Sequence, residues 1–179
     1  ERSHTTVSFY VRALRTIFNR AIKANDIEKT LYPFGKDGYE VPAVKRVKKV
    51  LSREQLKQLF EAKPKTPERQ KAKDFWFFSY SCYGMNIKDI AQLRYSQFAG
   101  NTLKFIRAKT QTTGKKKQKE VVVYLTDFAK GIIEKYGNPN THPKQFIFPI
   151  LNEVTSEADK RTKVQNSTRF INQNFKKKK

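Results

Sequence analysis

Cysteine is nearly absent. Cys82 stands alone, so neither a disulfide framework nor a thiolate cluster for zinc is available, and a reducing compartment suits the chain. Histidine is almost as scarce: His4 and His142 are the only two, which removes any reading that needs a multi-histidine metal site. There is no long uncharged apolar run to span a membrane, and the opening Glu1-Arg2-Ser3-His4 is not followed by the apolar core of a secretory signal. Gly-rich phosphate loops, His-Glu-x-x-His, Gly-x-Ser-x-Gly and calcium loops are missing as well. Acidic residues are also few. Against 38 Lys and Arg there are 16 Asp and Glu, a formal net charge of +22. A compact body so charged repels itself unless a polyanion neutralises it, so nucleic acid is the leading partner. An anionic membrane fits less well, because the basic residues are spread along the chain rather than gathered on one amphipathic helix.

What is present is enough for a core. A length of 179 residues with 37% hydrophobic content and 14 phenylalanines implies one folded domain, with room for part of another. Apolar residues at Val7, Val11, Leu14, Phe18 and Ala21 predict an amphipathic helix over residues 5–25, with Arg12 and Arg15 on its other side as candidate DNA contacts. Residues 28–50 hold Tyr32-Pro33-Phe34-Gly35, Gly38, Pro42 and the basic run Lys45, Arg46, Lys48, Lys49, and read as an extended, cationic linker able to track a phosphate backbone. A new domain begins at Leu51, where Ser52 can cap a helix that Pro64 and Pro67 close.

A nearly all-apolar helix over 68–83, a short one over 87–94, strands near 103–108 and 121–125, a helix capped by Thr126 and stopped at Gly137, and a last helix from Ser156 to the end complete the pattern. The fold class is therefore α+β, mainly α, with a small antiparallel sheet set among helices. The chain opens close to a helix and ends Phe175 followed by four lysines, and it looks like a piece of something longer.

The succession from Asp74 through Phe-Trp-Phe-Phe-Ser-Tyr-Ser-Cys-Tyr-Gly-Met-Asn-Ile-Lys-Asp-Ile-Ala-Gln-Leu93, then Phe105-Ile-Arg-Ala-Lys-Thr110, then Val121-Val-Val-Tyr-Leu125 resembles the catalytic domain of tyrosine recombinases, the phage-integrase family. Tyr32-Pro33-Phe34-Gly35 is similar to the linker of mobile-element integrases from Bacteroides-type bacteria. The resemblance implies that residues 1–27 hold the last helix of a core-binding domain, 28–50 a basic interdomain linker, and 51–179 the first two-thirds of a helical catalytic domain with a three-stranded sheet. It also implies double-stranded DNA as partner, a homo-tetramer on DNA in the full-length protein, no cofactor, and a cytoplasmic, nucleoid-associated location. In this family a tyrosine attacks the scissile phosphate, and cations and an acid accelerate the transfer. Loss of any one of these costs about a hundredfold or more in rate.

On that resemblance Lys109 takes the place of the hairpin lysine that protonates the leaving oxygen. Lys115, Lys116, Lys117 and Lys119 compete with it for phosphate, and a solvated hairpin lysine is the bland reading. The first catalytic arginine is missing: Gly84-Met85-Asn86-Ile87-Lys88-Asp89 puts neutral Asn86 where the guanidinium belongs, while Asp89 matches the acidic residue that braces the site. Arg107 is expected to substitute, because residues two apart on a strand share a face, with Arg94 and Lys88 next in line. None of Tyr10, Tyr32, Tyr39, Tyr80, Tyr83, Tyr95, Tyr124 and Tyr136 matches the nucleophile's position. The chain is thus expected to bind DNA without cleaving it. The alternatives are a non-catalytic basic DNA-binding or architectural protein, and a basic RNA- or ribosome-associated protein.

Overall fold

The computed structural model describes residues 3–36, 38–41, 50–111 and 119–175, and divides into two compact units, Glu1–Ser52 and Arg53–Lys179. The first is built on α1, His4–Ala24. Ser3 caps it, its hydroxyl accepting the Thr6 N–H, and Asn25 closes it in the left-handed conformation that Asn tolerates. The expected stripe is covered only in part. Val7, Val11, Phe18 and Ala21 are half-buried, while Leu14 is exposed along with Tyr10 and Ile17 beside it.

What covers α1 is the stretch predicted to be an extended linker. After a 3-10 turn at Lys29–Leu31, Phe34 packs edge-on against Phe18 and Tyr32, and Arg15 Nε donates to the Tyr32 hydroxyl at 3.0 Å. The chain then doubles back, so that the Tyr39 N–H reaches the Pro33 carbonyl at 2.8 Å. Gly38 permits this approach, because a Cβ there would meet the Pro33 carbonyl oxygen at 2.5 Å. Proline and glycine break regular structure, as expected, but three aromatic rings give the broken segment something to fold onto.

The second unit is α+β and mainly helical: α2 (Arg53–Glu61), α3 (Pro67–Ser81), α4 (Ile87–Gln92), β1 (Phe98–Ala99), β2 (Thr102–Ile106), α5 (Ala108–Gln111), β3 (Glu120–Tyr124), α6 (Asp127–Tyr136) and α7 (Glu157–Phe175). Pro67 does not end a helix but starts α3 behind the Thr66 cap, at the one position where a missing N–H costs nothing. The sheet is antiparallel in the order β1-β2-β3, with Leu103 opposite Val123 and Phe105 opposite Val121. Leu103, Phe105 and Val123 are buried and Lys104 is exposed, so the alternation of the sequence fixes the register. Phe148 fills the centre, 5.0 Å from the ring of Phe75 and 5.3 Å from that of Phe78.

Asp74, Asp89 and Thr155 are the buried polar residues among those described in this unit. Asp74 of α3, 5% exposed, accepts from Gln70 Nε2 at 2.7 Å, Lys135 Nζ at 2.9 Å and the Tyr136 hydroxyl at 2.8 Å, tying α3 to α6. A buried carboxylate with three donors is satisfied, and the same bonds hold Lys135 above the ordinary lysine range. Burial, and then the bond to Asp74, raises Tyr136 in the same direction. Cys82 is buried and its thiol is pushed up to about 11, which leaves it inert.

Candidate nucleic-acid interface

The site begins where the sheet ends. Strand β2 stops at Ile106, whose partner is Glu120, so Arg107 and Lys109 do not share a strand face as expected. Arg107 leaves the sheet, and Ala108 starts the single helical turn α5, with Lys109 exposed in it. Ala108 turns inward instead, 8% exposed. Its N–H donates to Asp89 Oδ1 at 2.8 Å in a buried bond between residues far apart in sequence.

Asp89 can do this because α4 presents it to the interior. Asp89, Ile90 and Ala91 are buried, whereas Lys88 is exposed on the opposite side of the turn. The helix is started by Asn86, whose side-chain oxygen accepts the Lys88 N–H at 3.0 Å and whose carbonyl accepts from Ile90. Asn is among the best N-cap residues. The position that lacks the expected charge thus has a structural task, and Asp89 sits one turn further on.

Of the residues singled out in the sequence, Asp89 is joined through the Ala108 N–H to the segment in which Arg107 and Lys109 are the exposed neighbours of Ala108, and Asn86 and exposed Lys88 precede Asp89 at the start of α4. Arg94 belongs elsewhere. Its guanidinium lies 3.9 Å from the Phe146 ring centroid and donates to the Lys144 carbonyl, so it fastens the 138–146 segment. Lys119 is exposed just before β3, and Arg12 is exposed on α1 of the other unit. Lys45, Arg46, Lys48, Lys49, Lys115, Lys116 and Lys117 fall outside the described residues. No family model, curated protein or solved structure matches this chain.

Among the described residues no group of three or more His, Cys, Asp or Glu could hold a metal ion, and no helix is long and apolar enough to cross a membrane. What the arrangement offers chemically is cationic: Arg107 and Lys109 are the neighbours of the braced Ala108, and Lys88 adjoins the Asp89 that braces it. Such a group suits a phosphodiester, which accepts hydrogen bonds and carries one negative charge.

Sequence reasoning overlooked the turn just before Asn86. It carried α3 through Tyr83, but the helix ends at Ser81, with Cys82 as its cap. Tyr83 has φ 57 and Gly84 φ 70, two successive left-handed residues. The turn is tightly bonded, as the Ser79 carbonyl accepts from both Gly84 and Met85 and the Ser79 hydroxyl donates to the Met85 carbonyl at 2.6 Å. A left-handed tyrosine costs about 1–2 kcal/mol. Gly84 was the available signal, since glycine just past a helix marks this kind of stop.

Proposed function

We propose that this chain is a DNA-binding portion of a tyrosine-type site-specific recombinase, an integrase, which engages duplex DNA through its phosphates and does not cleave it alone. The observation that carries the reading is the buried bond from Ala108 to Asp89, which anchors the segment that carries Arg107 and Lys109. The net charge of +22 supports the same partner. The family rests on the resemblance of the segments around Asp74–Leu93, Phe105–Thr110 and Val121–Leu125. In the complete enzyme, cleavage and rejoining would run through a 3′-phosphotyrosine, Lys109 would serve as the acid for the leaving oxygen, and a tetramer would assemble on paired sites.

A non-catalytic, basic DNA-binding protein is the second reading, and one observation favours it. Asn86 is engaged as a helix cap and Arg94 as a clamp, so neither supplies the guanidinium that strand cleavage calls for. Two measurements separate the readings. A labelled duplex tests binding, which should weaken steeply as salt rises. A nicked suicide substrate tests chemistry: no covalent adduct is expected from this chain, and an adduct would overturn binding without cleavage.

A further inference from the structure

Five described residues have positive φ: Asn25, Gly35, Gly84, Gly100 and Tyr83. Four are the types that tolerate it. Tyr83 is the exception, and its side chain is not held by packing, being 61% exposed. Among the described residues its hydroxyl has no hydrogen-bond partner and its ring no aromatic neighbour. By contrast Tyr80 stacks on Trp76, Tyr32 accepts from Arg15, and Tyr136 donates to Asp74. Gly or Asn at position 83 would form the same turn with less strain, so the fold does not explain a tyrosine there.

Its place in the chain does. Tyr83 is three positions before Asn86, so its Cα lies within about 11 Å of the start of α4. The next exposed cation is Lys88, and Asp89 links α4 to the Arg107–Lys109 segment. We propose that the Tyr83 hydroxyl is a DNA contact that donates a hydrogen bond to a backbone phosphate of a duplex seated on Lys88 and Lys109. This rests on the DNA-binding reading above. A neutral donor a few residues from Lys88 would position the backbone without adding charge, a role within the reach of a tyrosine hydroxyl on DNA.

That neutrality gives the test. Affinity for a short, fluorescein-labelled duplex of mixed sequence is measured by anisotropy over about 50–200 mM salt for the whole chain and its variants. Tyr83→Phe removes one hydrogen bond to a charged acceptor and should weaken binding about tenfold. The dependence on salt should not change, whereas Lys109→Ala should lower its slope by about 1. Tyr83→Gly should lose as much affinity as Tyr83→Phe while unfolding at the same or a higher urea concentration, which separates the contact from a fold effect. If Tyr83→Phe binds as tightly as the original chain, the inference is overturned. If the original chain binds no duplex, the DNA reading itself fails and takes the inference with it.

Discussion

Replacing Asp89 with alanine tests the centre of the site. The Asp89 carboxylate is buried and receives the Ala108 N–H at 2.8 Å, and Ala108 is itself buried. Its removal leaves a buried donor without a partner as well as losing a charge-assisted bond, a cost of about 2–3 kcal/mol. Asp89→Asn keeps an oxygen in the same place and forfeits only the charge, so it should cost about 1 kcal/mol. The effect is local, and the assay is therefore residue-specific. Amide exchange at Ala108 should quicken on the order of fiftyfold in Asp89→Ala, since each 1.4 kcal/mol is tenfold, and only several-fold in Asp89→Asn. Loosening the segment that carries Arg107 and Lys109 should also weaken duplex binding by roughly threefold to tenfold, the price of ordering it again on DNA. Unchanged exchange at Ala108 would refute the brace. Faster exchange with unchanged binding would show that the braced segment is not where DNA sits.

Four further outcomes follow from the structure. Asp74→Ala strands the Tyr136 hydroxyl and Gln70 and should cost about 3 kcal/mol in urea unfolding, less than a fully buried ion pair because Lys135 is half in solvent. Lys135 and Tyr136 both have raised values in the fold, so their contribution is present at neutral pH and lost as pH climbs past about 10; the alkaline fall in stability should be shallower in Asp74→Asn. Gly38→Ala, with its Cβ meeting Pro33 backbone at 2.5 Å, should free the loop from α1 and speed amide exchange at Tyr39 at least tenfold, with exchange at Ala108 unchanged. Thr126→Ala removes the cap that accepts the Ala129 N–H and should cost about 1 kcal/mol in urea unfolding.

The parts of the fold legible in sequence are those set by local rules. Thr126 caps α6 and Gly137 follows its last residue, and the period of two at Leu103 and Phe105 against Val121 and Val123 specifies both sheet faces. The misreadings share a cause. Arg107-Ala108-Lys109 alternates polar and apolar as a strand does, although one residue out of phase with Leu103 and Phe105, so it looks like strand. A single turn of helix satisfies that pattern equally well once Asp89 supplies an acceptor for its first N–H, and no local pattern announces an acceptor from another helix. The apolar arc of α1 was just as visible, but which part of it becomes covered depends on where Phe34 lands. A high density of glycine and proline excludes regular structure without implying an extended chain.

Asn86 is where the two functional readings part. A guanidinium at that position would add charge to the site and remove the cap of α4, because arginine offers no acceptor for the Lys88 N–H. That loss would be about 1 kcal/mol, and it would fall on the helix that delivers Asp89 to Ala108. The cap, the buried carboxylate and the braced peptide form one chain of dependence running from Asn86 to Lys109. It anchors the backbone that carries the cations, and does not add to their number. Holding a phosphodiester needs the anchoring, and accelerating its cleavage needs the number as well. On the DNA-binding reading proposed above, this chain of dependence suits holding a phosphodiester, and cleavage would call for further cations at the same place.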